Sequence, residues 1–305
     1  MSKFFEALER AQMEQARRTE VSSARATGRP PPPAAPSGEV PLAAPPVLGA
    51  PATAPKGSVD RLDHVEEHLV SLCNPRSFEA EQYRVLRHVV ETLRKNTNLG
   101  VVVAVTSPEA GDGKTTTSIN LAGALAQSSQ ARVLLADFDF RRPKVAPRLG
   151  MDGSRRSLVD VLEEPRLRLE DAVKHLPRFN LSVLPAGSAV GFYELLKSPR
   201  VEALLEEARR RYDFIILDAP PFVPVPDCRL LAEWIDGFLI VVAAHRTPRG
   251  LLAETVKLID LAKVVGVVFN GDDTLRRGGY YQSYYNNVDA EPPGVARWRR
   301  PWGKP

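Results

Sequence analysis

Between residues 76 and 270, short and nearly continuous apolar runs alternate with stretches whose apolar residues recur at helical spacing. Such short apolar runs are typical of strands that are covered on both faces. They predict six strands, at Leu99–Thr106, Arg132–Asp137, Leu181–Leu184, Phe214–Asp218, Gly237–Ala243 and Val264–Phe269. The stretches around them predict helices at Ser77–Arg94, Lys114–Gln127, Pro199–Tyr212, Asp227–Trp234 and Pro248–Ala262.

This alternation of strands and helices predicts the fold class. Strands that are separated by helix-length connections pair in parallel through crossovers, and the helices then cover both faces of the sheet. We therefore expect an α/β domain with a doubly wound, mostly parallel sheet.

The two ends of the chain follow other patterns. Phe4, Leu8 and Ala11 predict a short amphipathic helix within residues 1–20, either frayed or docked on a partner or membrane surface. Ten of the 27 prolines lie between Pro30 and Pro55, among Ala, Gly and Ser, so residues 21–75 are predicted to form a disordered linker. The domain is then expected at residues 76–272, and a flexible tail at 273–305.

Composition narrows the class of protein. With 305 residues, 43% hydrophobic and 26% charged, the chain is neither collagen-like nor wholly disordered. A formal charge of +4 is too small to argue for nucleic-acid binding. The two cysteines have no metal-ligand spacing, and the longest apolar run, Phe238–Ala244, is too short to span a bilayer. Since the N-terminus also lacks a signal-peptide pattern, we expect a cytoplasmic protein that reaches the membrane through a partner.

The first predicted strand leads into a loop of small residues that is followed at once by a helix. Strand, Gly-rich loop, Lys-Thr and helix is the order of a P-loop, so we expect a P-loop NTPase fold. In such a loop the backbone N–H groups, the helix N-terminus and a lysine hold phosphate oxygens, and a hydroxyl binds Mg2+. The residues concerned are Gly111, Asp112, Gly113, Lys114, Thr115 and Thr116.

Three carboxylates are predicted at the same edge of the sheet as this loop. Asp137 ends the second predicted strand and Asp139 lies two residues beyond it, while Asp218 ends the fourth. Ligands of open α/β sheets bind beyond the carboxyl ends of the strands, where these acids converge. Acids beside a P-loop can bind a metal and orient an attacking group, as phosphoryl transfer requires. A purely structural role as helix caps would explain one of them but not all three.

These residues together resemble the bacterial tyrosine kinases, or BY-kinases, which are autokinases paired with capsule and exopolysaccharide export machinery. The loop Ser107–Thr115, the acidic stretch Asp137–Pro143 and the sequence Asp218–Pro221 are similar to that family's Walker A, Walker A′ and Walker B motifs. The family loop usually reads SxxPGEGK[ST], from which Ala110 and Asp112 are mild departures. The resemblance extends over about two thirds of the chain.

The resemblance implies a role for each site residue. Lys114 and the loop amides would hold the β- and γ-phosphates of ATP, and Thr115 would bind Mg2+ with Asp218, directly or through water. Asp137 would orient and deprotonate the incoming tyrosine hydroxyl, while Asp139 would support the metal or share that role, and the two could exchange places. Asn270, which follows the last predicted strand, would contact adenine.

The family also implies how the chain assembles. Glu81, Arg84 and Arg87 match its ExxRxxR oligomerisation motif, although a solvated helix face would give the same spacing. Phosphoryl transfer is expected between neighbouring subunits of a ring, onto a cluster of tyrosines in the tail. A separate transmembrane activator, or polysaccharide co-polymerase, is the implied partner. The expected phosphoacceptors are Tyr280, Tyr281, Tyr284 and Tyr285.

Two other functions remain open from the sequence. Partitioning ATPases carry a signature lysine five positions before the P-loop lysine, and this position is Glu109, which argues against their mechanism. A non-catalytic nucleotide-binding regulator of the export complex is disfavoured by the three acids. The tyrosines could also form an aromatic surface patch, and the basic, Trp-containing end could contact anionic lipid or nucleic acid.

Overall fold

The protein is described here from a computed structural model that covers residues 65–96, 101–151, 156–188 and 191–272. A seven-stranded sheet has the order β3-β4-β2-β5-β1-β6-β7. All neighbouring strands are parallel except β3, which pairs antiparallel with β4, so the expected α/β class is confirmed. The strands are β1 (Val102–Thr106), β2 (Val133–Asp137), β3 (Lys174–Leu176), β4 (Leu181–Leu184), β5 (Phe214–Asp218), β6 (Gly237–Ala243) and β7 (Val264–Asn270).

The helices cover both faces of this sheet. In the described ranges they are α1 (Val70–Cys73), α2 (Phe78–Asn96), α3 (Lys114–Ala126), α4 (Val145–Arg148), α5 (Leu158–Glu163), α6 (Leu169–Ala172), α7 (Phe192–Leu196), α8 (Pro199–Arg211), α9 (Asp227–Leu231) and α10 (Arg249–Leu258). Short 3-10 turns at Pro177–Phe179 and Leu261–Lys263 precede β4 and β7.

The core consists of two apolar layers, one on each face of the sheet. Side chains of a strand alternate between faces, so Val102 and Ala104 of β1 join one layer while Val103 and Val105 join the other. Helix α3 lies in the second layer between the sheet and α2, and nearly all of its residues are buried. This burial fixes the first turn of α3, which carries Lys114 and Thr115.

The folded domain begins earlier than its predicted start at residue 76. Leu69 is fully buried and Leu72 nearly so, both in the layer that contains α3. The backbone N–H of Ser71 donates to Asn120 Oδ1 of α3 at 2.8 Å. The predicted linker end at residue 75 is therefore wrong, because the linker composition stops before these apolar side chains.

Most predicted elements agree with the structure. Five short helices, α1 and α4 to α7, were not predicted, because four to six residues are too few to show helical periodicity. Strand β3 was not predicted, because its three residues Lys174–Leu176 are too few and too polar to show a strand pattern. The predicted helix Asp227–Trp234 ends at Leu231, and the helix predicted at Pro248–Ala262 ends at Leu258.

Several predictions concern residues outside the described ranges. These are the amphipathic helix in residues 1–20, most of the linker, and the tail with Tyr280, Tyr281, Tyr284 and Tyr285. Over the part of the chain that the structure covers, we find no helix with the length and apolarity of a bilayer span. Both cysteines are free thiols, with Cys73 exposed and Cys228 buried.

Candidate active site

The site lies where the carboxyl ends of β1, β2 and β5 meet. Asp137 at the end of β2 is the register partner of Asp218 at the end of β5, and Val105 of β1 is paired with Asp218 on the other side. The chain leaves β1 for the P-loop at this point. The predicted convergence of the loop and the acids is therefore present.

Two glycines give the P-loop its shape. Gly111 and Gly113 have φ of +96° and +98°, a left-handed conformation that other residues adopt at a cost. A Cβ on Gly113 would also lie 1.8 Å from Asn270 Nδ2, so only glycine fits there. Asn270 Nδ2 donates to the carbonyl of Asp112 at 3.0 Å. Asn270 thus holds the loop from the end of β7, whereas the resemblance implied a contact with adenine.

Lys114 is surrounded by carboxylates. Its ammonium group lies 2.6 Å from Asp139 Oδ2 and 3.9 Å from Asp218 Oδ2, and all three side chains are buried. Thr115 Oγ1 donates to Asp218 Oδ2 at 2.7 Å. Ser118 Oγ lies 3.0 Å from Asp218 Oδ1. Ser118 was not predicted, although its position three residues after Thr115 places both on one face of α3.

Burial and charge shift the ionisation of these groups. Burial alone would lower the pKa of Lys114, but the negative charges of Asp218 and Asp139 outweigh it and raise that pKa. Burial raises the pKa of Asp218 despite the opposing effect of Lys114. Burial, reinforced by the charge of Asp218, raises the pKa of Asp137 to about 7. The ionised forms of Asp137 and Asp218 are thus disfavoured in the empty fold, and a further cation beside these carboxylates would favour their ionisation.

The two acids of the Asp137–Pro143 stretch have different surroundings. Asp137 is 1% exposed and accepts backbone hydrogen bonds from Asp139 at 3.1 Å and from Lys144 and Val145 at 3.0 Å. Asp139 contributes to the wall of the cavity beside the P-loop, while Asp137 lies behind that wall. Asp137 thus organises the loop that presents Asp139.

A cavity of about 450 Å³ opens in front of the P-loop. Its floor is formed by the loop with Lys114 and Thr115, and one side is the apolar stretch of Pro221, Pro224 and Val225. The rim carries four further cations, none of which was predicted: Arg141, Arg142, Lys144 and Arg148. Arg148 Nη1 donates to Thr116 Oγ1 at 2.5 Å, which ties this rim to the first turn of α3.

The loop after β6 holds the P-loop from the other side. Thr247 Oγ1 donates to Asp112 Oδ1 at 2.7 Å and accepts the N–H of Ala243 at 2.9 Å. Asp112 is fully buried, and Arg246 donates to the carbonyl of Gly111. Arg246 and Thr247 were missed because they lie more than 130 positions away from the residues that they hold.

We expect a Thr247→Val variant to bind MgATP about three- to tenfold more weakly, because the buried Asp112 carboxylate and the N–H of Ala243 each lose a partner. Nucleotide titration by calorimetry measures the effect. A Thr255→Val variant is the matched control, since Thr255 is also fully buried and donates only within α10, to Leu251. Equal affinity in wild type and Thr247→Val would contradict this role for Thr247.

The residues of the predicted oligomerisation motif lie on α2, away from the cavity. Arg87 donates to the carbonyl of Ala124 at 2.9 Å and so holds α2 against the end of α3. Arg84 and Glu81 form an ion pair of 2.6 Å that is partly exposed. Arg84 also donates to the carbonyl of Pro75 at 3.0 Å, so both arginines have contacts within the subunit, while the Glu81–Arg84 pair remains partly exposed.

The donor set of the site fits Mg2+. All candidate ligands are hard oxygens, from the hydroxyl of Thr115 and the carboxylates of Asp139 and Asp218, and these side chains are buried together. Across the described ranges, no three His, Cys, Asp or Glu side chains converge closely enough to hold a metal unaided. Mg2+ is usually bound in this way, by one or two carboxylates with water and phosphate oxygens completing its shell.

We expect Mg2+ to stabilise the nucleotide-free protein more at about pH 8 than at about pH 6. The pKa of Asp137 in the fold, about 7, lies above the ordinary 3.8, so its proton stabilises the native state at low pH, and this stabilisation is lost as the pH rises through about 7. The ionised carboxylates then attract the cation. Thermal unfolding with and without Mg2+ at the two pH values measures the difference, and an equal shift at both would contradict it.

Comparisons with known proteins agree with this geometry. Residues 100–263 match the family model described as an AAA domain. The chain is 30% identical over 237 residues to the tyrosine-protein kinase YwqD of Bacillus subtilis, an alignment that covers 75% of this chain and 96% of YwqD. It is 31% identical over 242 residues to the succinoglycan biosynthesis transport protein ExoP of Rhizobium meliloti, covering 75% of this chain but only 28% of ExoP.

A solved structure of a kinase domain is also similar to this chain. The crystal structure of the VpsO kinase domain is 35% identical in sequence and superposes with a TM-score of 0.54, covering 64% of this chain and 98% of that domain. Both the P-loop and the acids at the strand ends lie within the residues of the AAA match. The chain therefore belongs to the bacterial tyrosine kinase family, with an AAA domain at its centre.

Proposed function

We propose that this protein is an ATP-dependent protein tyrosine autokinase, which transfers phosphoryl groups from MgATP to tyrosines of its own tail. The observation that carries the proposal is the position of Lys114 against Asp139 and Asp218 at the floor of an open cavity. Kinase relatives such as YwqD support the reaction class.

The residues of the cavity would act mainly by position and charge. MgATP, when bound, supplies the transferable γ-phosphoryl group and a divalent charge. Lys114 and the N–H groups of the P-loop would hold the β- and γ-phosphates, and Thr115, Asp139 and Asp218 would hold the metal. A loose phosphoryl-transfer transition state chiefly requires alignment and charge neutralisation, and these groups provide both.

We propose Asp137 as the base for the tyrosine hydroxyl, and since it does not line the cavity it would accept the proton through one bridging water. Its pKa of about 7 suits a group that accepts a proton near neutral pH. One lone pair of Asp137 Oδ1 remains after the hydrogen bond from Asp139 N–H. Asp139, on the cavity wall, would position the acceptor together with the metal.

Phosphoryl transfer would occur between neighbouring subunits of a ring. On α2, Val85 and Val89 are 56% and 42% exposed and lie one turn apart, next to the partly exposed Glu81–Arg84 pair. An apolar stripe beside a charged pair suits a protein interface. Phosphorylation of the tail would add negative charge to each subunit and separate the ring by repulsion.

The cellular role that we propose is control of polysaccharide polymerisation and export, through a separate transmembrane activator that recruits the kinase to the inner face of the membrane. The name of ExoP, a succinoglycan biosynthesis transport protein, supports this assignment. The match covers 28% of the length of ExoP.

Incubation with labelled ATP and the activator's cytoplasmic segment tests the reaction. Wild type should become labelled on tyrosine, and a variant with all four tail tyrosines changed to Phe should not. Hydrolysis of ATP without phosphotyrosine would instead favour a partitioning-type ATPase. Intact ATP after prolonged incubation would favour a non-catalytic nucleotide-binding regulator.

A further inference from the structure

Two of the four cationic side chains on the rim of the cavity form ion pairs or hydrogen bonds with the described residues, and two do not. Arg141 pairs with Asp227 at 2.7 Å, and Arg148 contacts Thr116 and Glu66. Arg142 and Lys144 are exposed, and among the described residues neither side chain has a hydrogen bond or an ion pair. Two positive charges therefore stand free at the mouth of the cavity.

The backbone of these two residues is fixed beside the reacting groups. The N–H of Arg142 donates to Asp139 Oδ1, and the N–H of Lys144 donates to Asp137 Oδ2. Pro143 between them restricts the loop further. Their side chains therefore extend from backbone that is hydrogen-bonded to the acids of the site, which places two cations beside the position of a bound acceptor.

We propose that Arg142 and Lys144 form a phosphate subsite that binds a phosphotyrosine adjacent to the acceptor tyrosine. This inference rests on the proposed kinase activity at the same cavity. The tail supplies the ligand, since its tyrosines occur as the adjacent pairs Tyr280–Tyr281 and Tyr284–Tyr285. Each product phosphate would become a recognition element for the next transfer, so phosphorylation of a pair would accelerate after its first step.

The chemistry of the two side chains fits this ligand. A phosphotyrosine carries about −1.5 to −2 charges and three strong acceptor oxygens. Arginine binds such a group with a planar pair of donors, and a lysine adds a mobile point charge. The residues that flank these tyrosines are Gly279, Gln282, Ser283 and Asn286, none of which is acidic. The phosphate itself is therefore the anion nearest to an acceptor.

Peptides of residues 278–289 test the subsite on the full-length protein with its own four tail tyrosines changed to Phe. One peptide keeps Tyr285 as its single tyrosine, with Phe at 280, 281 and 284, and a second differs only by phosphotyrosine at 284. Wild-type kcat/KM should be about tenfold higher for the phosphorylated peptide. In an Arg142→Ala, Lys144→Ala double variant this ratio should fall to about one.

A charge-matched control is an Arg210→Ala, Lys257→Ala double variant, because both side chains are exposed and neither lines the cavity. It should keep the wild-type ratio. Equal rates for both peptides in wild type, or a preference that survives in the Arg142→Ala, Lys144→Ala variant, would overturn the subsite. A rise in the KM for ATP that is equal with both peptides would assign the cations to the nucleotide and also overturn it.

Binding of a phosphopeptide that cannot accept a phosphoryl group tests the subsite independently of kinase activity. Fluorescence anisotropy with the phosphotyrosine peptide carrying Phe at 285 should give about tenfold weaker binding for the double variant than for wild type. If binding is weakened in this way but no peptide is phosphorylated, the subsite would be supported and the proposed kinase activity would be contradicted. Equal and weak binding by both proteins would reject the subsite even if transfer occurs.

Discussion

A Lys114→Met variant will form no detectable phosphotyrosine and will unfold at a lower temperature than wild type. Among the described residues, the ammonium group of Lys114 is the only cation that forms an ion pair with Asp139 or Asp218, and both acids are buried. Removing one partner of a buried ion pair costs about 3–5 kcal/mol, because the remaining charge is left uncompensated. Loss of the phosphate-binding cation should abolish transfer as well.

The loss of stability should grow as the pH rises from about 6 to about 8. The pKa of Lys114 is raised above 10.5 in the fold, so its own contribution stays constant over this range and is lost only at higher pH. Without the charge of Lys114, which lowers it, the pKa of Asp218 rises further, and ionising this buried carboxylate near neutral pH then disfavours the native state. Thermal unfolding at the two pH values measures this dependence.

A Lys263→Met variant is the control for a lost lysine away from the cavity. The Lys263 ammonium donates to the carbonyls of Ala232 and Ile235, and it forms no ion pair with a carboxylate of the described residues. It should reduce stability without a pH dependence near neutrality and should retain phosphotyrosine formation. Undiminished labelling in Lys114→Met would contradict the role of Lys114.

The sequence predicts the sheet well because its strands are covered on both faces. The bounds of β4, β5 and β6 agree with the prediction at both ends, since a doubly covered strand is a continuous apolar run. Strand β3 could not be predicted, because an edge strand of three residues has no continuous apolar run. The start of the domain was misplaced because Leu69 and Leu72 are too few apolar residues to mark an element beside the linker, although both are buried in the layer that contains α3.

Some residues of the site could be predicted from local sequence motifs, and others could not because only the fold brings them to the site. Lys114, Thr115 and the three acids are recognisable because each directly follows a strand or opens a helix. Thr247 and Arg246 lie in a different loop, and only the pairing of β6 with β1 brings them to the P-loop. No spacing in the sequence indicates such a contact. The free cations Arg142 and Lys144 look like ordinary surface residues until the cavity that they border is known.

An Asp137→Asn variant should transfer phosphoryl groups about 100- to 10,000-fold more slowly while keeping its affinity for MgATP, because it removes a base and no metal ligand. An Asp139→Asn variant should instead weaken nucleotide binding specifically in the presence of Mg2+, since it removes a carboxylate from the cavity wall. Both substitutions preserve side-chain shape. Single-turnover transfer rates and nucleotide titrations with and without Mg2+ separate the two effects.

Measurements of thermal stability distinguish a loss of catalysis in these two variants from a loss of folded structure. The Asp137 carboxylate accepts three backbone hydrogen bonds, and an amide can replace only some of them, so Asp137→Asn should also lower the unfolding temperature. Transfer must therefore be compared well below that temperature, where nucleotide binding reports an intact site. Normal transfer by Asp137→Asn would contradict its role as the base. If Asp139→Asn keeps Mg2+-dependent affinity and loses transfer, then the base lies on the cavity wall and Asp137 acts only by holding the loop that presents it.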